Sequence, residues 1–137
     1  MYLPPVVVAS TGASLEVINS DPLLHNVHAS LLMTPVFNMA MPLQGQHYRK
    51  ELPRVSGRIR VRCDLHPWMH AVIQTFDHPY FALTDALGSY RIADVPSGKY
   101  KLIFWHERLP QRTVELSLAP GQAVEKTMEW AAADLER

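Results

Sequence analysis

Residues 58–69 read Arg58-Ile59-Arg60-Val61-Arg62-Cys63-Asp64-Leu65-His66-Pro67-Trp68-Met69. Arginine and apolar residues alternate up to Cys63. Successive side chains on a strand point to opposite faces, so Ile59, Val61 and Cys63 share the inward face and Arg58, Arg60 and Arg62 go to solvent. The thiol therefore sits at the buried end of a strand, where the chain enters a tight turn stiffened by Pro67. The run from His70 to Phe76 reads as the next strand.

Working outward, 11 prolines and 6 glycines break the chain into short segments rich in Val, Ile, Thr, Tyr and Phe, and no segment holds a helical period beyond two turns. That is the pattern of strands and turns. Leu15 to Ile18 reads as a strand ending in the turn cluster Asn19-Ser20-Asp21-Pro22, and His25 to Leu32 as another. Thr34 to Lys50 carries two prolines and a glycine with little alternation, and reads as a long surface loop. Farther on, Phe81 to Thr84 and Ser89 to Ala93 flank Asp85-Ala86-Leu87-Gly88 as a hairpin signal. Tyr100 to Trp105, Val114 to Leu118 and Val124 to Trp130 read as strands, and Ala131 to Arg137 as a frayed tail or last helical turn. The predicted fold class is all-β, a sandwich or barrel.

Composition narrows the function classes. An apolar share of 47 % against 19 % charged residues is enough to build a core and too apolar for a disordered chain. Thirteen basic residues balance thirteen acidic ones, so no polyanion-binding surface and no nucleic-acid partner are expected. The longest apolar runs, such as Pro4 to Ala9, fall far short of the roughly 20 residues of a transmembrane helix. No leader is visible, so an exported protein would have its leader removed or upstream of Met1. A single cysteine excludes an internal disulfide and an all-cysteine zinc site.

Two clusters carry chemistry: His25-Asn26-Val27-His28, and Cys63 through Met69. Cys63 alone reads as a buried inert thiol. Cys63, His66 and Met69 at i, i+3 and i+6 allow one loop to wrap three donors around one ion, and His25 follows a strand and turn able to bring a second imidazole alongside. A thiolate, two imidazoles and a thioether are the donors of a trigonal copper site with a weak axial methionine. His28 points away from His25 on a regular strand and reads as a surface or core residue, becoming an additional ligand only through a bulge. His70 faces away from Met69 by the same alternation, and His78 and His106 read as hydrogen-bonded structural histidines. Met33, Met39 and Met41 read as core or rim residues, and Trp68 as either an exposed contact or a cover over the site.

The spacing Cys63-x-x-His66-x-x-Met69, with Asn19-x-Asp21 and His25-Asn26-Val27 upstream, resembles the cupredoxins, most closely the amicyanin-like pattern, over roughly residues 5 to 76. That resemblance implies a Greek-key β-sandwich or barrel binding one copper ion that cycles between Cu(I) and Cu(II). His25, Cys63 and His66 are then its equatorial ligands, Met69 its axial ligand, and Asn26 the residue whose amide ties the first histidine's strand to the cysteine loop. Phe81-Ala82-Leu83-Thr84-Asp85, Gly88-x-Tyr90-x-Ile92 and Val95-Pro96-x-Gly98-x-Tyr100 resemble the second half of a carboxypeptidase-regulatory-like, transthyretin-type β-module, which implies additional C-terminal sandwich strands with a binding or structural role. The expected organisation is a cupredoxin-like region at 1–76, the β-module at 77–130 and a tail at 131–137. The whole is similar to bacterial exported proteins combining both patterns, which implies a periplasmic or extracytoplasmic place and more sequence upstream of Met1.

The leading functional expectation is an electron carrier, not an enzyme, with redox partner proteins or a larger membrane-associated complex as its partners. Copper storage or delivery and a structural accessory subunit with no redox role are the alternatives. A zinc site from His25, His28, Cys63 and His66 would leave Met69 idle. A Cys63/His66 nucleophile pair would need an orienting third group and an open pocket, and the neighbours Pro67, Trp68 and Met69 suggest closure instead.

Overall fold

The computed structural model describes residues 1–135. The chain divides into two compact units, the first Met1–Ile92 and the second beginning at Ala93. The fold is all-β. Among the described residues the only helical element is a 3-10 turn at Ala132–Asp134.

The first unit holds seven strands: β1 Val6–Ser10, β2 Ser14–Ile18, β3 His25–Leu31, β4 Thr34–Met41, β5 His47–Glu51, β6 Gly57–Arg62 and β7 His70–Phe76. Five form a mixed sheet in the order β1-β7-β6-β3-β4, with β1 parallel to β7 and the other pairs antiparallel. β2 and β5 pair antiparallel as a second, two-stranded sheet. Leu15 and Val17 of β2 pack on the core of the large sheet, built from Val27, Ala29, Met39, Met41, Ile59, Val61, Ala71 and Ile73. Two layers thus enclose one core, the sandwich expected from the alternation.

β6 behaves as its sequence dictates. Ile59 and Val61 are buried at 0 % and 5 % exposure, the three arginines are exposed, and Cys63 is buried just past the strand's end. The expected strands at 15–18, 25–32 and 70–76 are present as β2, β3 and β7.

The expected loop at 34–50 is overturned: it contains β4 and β5. β4 is the edge of its sheet, the position where a strand tolerates Pro35. Its inward residues include Met39 and Met41 and its outward ones Asn38 and Ala40, so the polarity contrast rests on Asn38 alone. Met39 and Met41 belong to the core, whereas Met33 is 94 % exposed. β5 is exposed along its whole length, so no buried face marks it in the sequence. β1 lies in the apolar run at the N-terminus. Val6 to Ala9 are partly buried on both faces of this parallel strand, so no alternation marks it.

The second unit contains one antiparallel ribbon, β8 Gly98–His106 with β9 Leu109–Leu118. The expected strands at 81–84, 89–93 and 124–130 do not form ladders. The Asp85–Gly88 turn is there, closed by Gly88 N–H to Asp85 O at 3.0 Å and Asp85 N–H to Ser89 O at 2.9 Å. Leu83 before the turn and Leu87 within it are both exposed, so this stretch gains no buried face to extend the pairing. Residues 124–130 are tied by side chains instead. Trp130 Nε1–H donates to Pro110 O at 2.9 Å, and Arg112 Nη1–H donates to Glu129 O at 3.0 Å. The expected tail or helical turn at 131–137 contains the 3-10 turn at Ala132–Asp134, while residues 136 and 137 lie outside the described residues.

Candidate metal centre

Strand register brings the key loops to one pole of the first unit. His25 opens β3 opposite Met41 at the end of β4, and Arg62 closes β6 opposite His70 at the start of β7. His28 pairs with Arg62, which carries Cys63 toward the start of β3. Residues 38 to 41 positions apart in the chain thereby become neighbours.

His25 Nδ1 lies 3.1 Å from His66 Nδ1, and Cys63 Sγ lies 3.5 Å from the same His66 nitrogen. One donor atom from each of the three residues falls within 4.8 Å of the others. His25 and Cys63 are buried at 8 % and 2 % exposure, and His66 is partly buried. A tetrahedral ion bonded at about 2.0 Å to nitrogen and about 2.3 Å to sulfur spans ligand-to-ligand edges of about 3.3 Å for N···N and about 3.5 Å for N···S. The two edges that meet at His66 Nδ1 are close to those lengths, and the third, from His25 to Cys63, lies within 4.8 Å. The three donors are therefore close enough together to share one first-row transition metal.

Proton placement points the same way. His25 Nε2 lies 2.9 Å from Asp21 Oδ2. The carboxylate only accepts, so Nε2 carries a hydrogen, and Nδ1 is the ring nitrogen turned toward His66. Asp21 is held in turn by Asn19, whose Oδ1 accepts Asp21 N–H at 3.0 Å. The Asn19 amide nitrogen donates to Leu23 O and Met41 O, each at 2.9 Å, and its residue is only 4 % exposed. The loop before His25 is therefore built around one buried side-chain amide.

The cysteine loop is closed from within by its own backbone. Cys63 N–H donates to Met69 O at 3.1 Å, and Met69 N–H donates to His66 O at 2.8 Å. Met69 is 4 % exposed, so its main chain links both ligand-type residues and its thioether is kept from water. On the rim, Leu65 and Trp68 are 53 % and 69 % exposed, and the Trp68 ring lies 5.3 Å from that of His66, tilted. Trp68 is thus an exposed contact beside the His66 ring.

Asn26 and His28 lie on the outer face of β3, turned from His25. Asn26 Oδ1 accepts Asp64 N–H at 2.7 Å, so its amide does tie β3 to the cysteine loop. His28 Nδ1 lies 3.1 Å from both Asp64 carboxylate oxygens, outside the His25–Cys63–His66 group. His78 and His106 each accept a backbone N–H two residues on, from Tyr80 and Arg108.

Three further residues serve the centre without belonging to the expected ligand set: Asp21 on the His25 ring, Asp64 under Asn26 and His28, and Tyr2. The Tyr2 hydroxyl donates to Asn26 O, and burial followed by the nearby negative charges of Cys63 and Asp64 pushes its phenol above the ordinary range. Asp21 lies only four residues before His25, in the turn cluster that the sequence marks at 19–22. Tyr2 and Asp64 have no such local signal.

No protein-family model matches the chain, and no curated protein does. Among solved structures it is similar to a purple cupredoxin from Nitrosopumilus maritimus, at 18 % identity and TM-score 0.47, over 53 % of this chain and 79 % of that one. It is likewise similar to the reduced Cu(I) form at pH 4 of a proline-to-glycine variant of amicyanin, at 22 % identity and TM-score 0.47, over 55 % of this chain and 72 % of that one. A copper-containing nitrite reductase from Thermus scotoductus SA-01 aligns at 21 % identity and TM-score 0.45, over 54 % of this chain and 20 % of that one. These similarities are distant and cover about half of this chain, so the chemistry of the centre stands on its own residues.

Proposed function

We propose that the first unit is a type 1 copper electron-transfer protein, with His25, Cys63 and His66 as equatorial ligands and Met69 as the axial one. The observation that carries the reading is the convergence of two imidazole Nδ1 atoms and one thiol on a pocket of metal dimensions. Copper, when bound, supplies the one-electron couple.

The chain supplies the rest. A soft sulfur donor suits Cu(I), and imidazole suits both oxidation states. The three donors hang from β3 and from a loop closed by its own hydrogen bonds, so they change little when the charge changes. Asp21 keeps the His25 proton on Nε2, and burial of Cys63 and Met69 excludes water. The partly exposed His66 ring is the electron's route to the surface, with Leu65 and Trp68 as the apolar rim against which a redox partner docks. An oxidising, extracytoplasmic compartment fits this chemistry, as the resemblance to exported proteins implies. The C-terminal region is proposed as a non-catalytic β-module. Copper delivery along surface thioethers has less support, because Met39 and Met41 are core residues.

Stoichiometric Cu(II) added to the metal-free protein is expected to give an intense visible thiolate-to-copper band and a reversible one-electron wave, both lost in Cys63→Ala. Tight copper binding without colour would rule the reading out.

A further inference from the structure

Asp64, directly after Cys63, receives hydrogen bonds from three different strands. From β3, Asn26 Nδ2–H donates to Oδ2 at 2.7 Å, and His28 Nδ1 lies 3.1 Å from both oxygens. From β4, Asn38 Nδ2–H donates to Oδ2 at 3.4 Å, and from β6, Arg62 Nε–H donates to Oδ1 at 3.1 Å. A carboxylate only accepts, so in the contacts with Asp64 it is His28 Nδ1 that carries the hydrogen, and Arg62 reaches the same anion through Nε–H. The Asp64 N–H, meanwhile, donates to Asn26 Oδ1 at 2.7 Å.

We propose that Asp64 is a positioning residue for Cys63, locked through His28 and Arg62 as well as Asn26. This rests on the copper reading for its chemistry, and on geometry alone for the lock. The residue bonded to Cys63 is pinned through both backbone and side chain to β3, the strand that carries His25. The lock therefore holds the sulfur's chain against the strand of the first imidazole from outside the core, while the Cys63–Met69–His66 backbone bonds fix the shape of the loop itself. A residue that merely decorated the surface would not draw charged and amide donors from three strands at once. Ligand-orienting contacts of this kind change metal affinity by about 10- to 100-fold when removed.

The test uses Asp64→Ala, Asp64→Asn and His28→Gln in the full chain, each with two readouts. In the metal-free protein, hydrogen exchange at the residue-64 amide is expected to accelerate at least about tenfold in Asp64→Ala, with partial protection restored in Asp64→Asn, which keeps one acceptor oxygen. His28→Gln is expected to fall between wild type and Asp64→Ala. In the copper-loaded protein, loss of copper to a chelator is expected to speed up in the same order, with the thiolate band and reduction potential displaced. Variants that lower the melting temperature but leave amide exchange, chelator loss, band and potential at wild-type values would overturn the proposal. Should the wild type bind no copper, the exchange measurement still decides the lock, so its failure and that of the copper reading are told apart.

Discussion

The imidazole of His25 is held between two partners: its Nε2 lies 2.9 Å from Asp21 Oδ2, and its opposite nitrogen faces His66 and Cys63. One carboxylate, four residues upstream, thus decides which ring nitrogen is free to bind. Asp21→Ala is expected to weaken copper binding about tenfold or more by releasing the tautomer, with little loss of fold because the carboxylate is half exposed. Chelator competition measures it, and an unchanged affinity would mean that Asp21 does not orient the ring.

Acid stability should report on Asp64. The hydrogen bond from His28, then that from Asn26, with the charges of His28 and Arg62 adding to them, holds its carboxyl below the ordinary range. A depressed folded-state value favours the folded protein above the unfolded-state value of about 3.9, and that contribution is lost as pH falls through the lower, folded-state one. Urea midpoints of wild type and Asp64→Asn are therefore expected to converge as pH drops below about 4. Parallel curves across that window would contradict this assignment.

The core prediction concerns Ile59, fully buried in the middle of β6. Ile59→Val is expected to cost about 0.5–1.5 kcal/mol and Ile59→Ala about 2–5 kcal/mol, the second because the surrounding sheet cannot collapse into the space. Denaturant unfolding of the metal-free protein checks both.

Trp68 should behave oppositely. At 69 % exposure its replacement by Ala is expected to change stability by no more than about 0.5 kcal/mol and to leave the thiolate band in place. A bleached or strongly shifted band would make Trp68 a cover of the centre rather than a rim contact.

In the second unit, Arg112 is the anchor of the segment after β9. Its Nη1–H donates to Glu129 O, and its Nη2 lies 3.0 Å from Asp134 Oδ2. Arg112→Met should raise hydrogen exchange from residue 129 to 134 while leaving the β8–β9 ladder protected. Loss of protection along the whole ribbon would show that the segment supports the ladder.

Local pattern was sufficient for much of this protein. The Arg-apolar alternation of 58–63 dictated β6, sent the arginines outward and turned Cys63 inward, because side-chain direction alternates residue by residue along any strand. The donors within the Cys63–Met69 loop and the turn at Asp85–Gly88 were likewise local matters of spacing and turn chemistry. Strands without contrast stayed hidden: β4, with methionine inward and alanine outward, and β5, exposed throughout, have no amphipathic signature to read. The segments at 81–84 and 124–130 looked like strands, yet both stay mostly exposed and form no ladder, the second being held to β9 by side-chain hydrogen bonds instead.

Tertiary structure alone decided the centre. Bringing Nδ1 of His25 to within 3.1 Å of His66, 41 residues on, depends on the β3–β6 register, and a slip of one residue would turn His25 to the opposite face. The gathering of Asn26, His28, Asn38 and Arg62 on Asp64 depends on the neighbouring order of β6, β3 and β4. Residue types and short spacings are written along the chain, but which strands lie side by side is settled by burial of the common core, and that is a property of the whole fold.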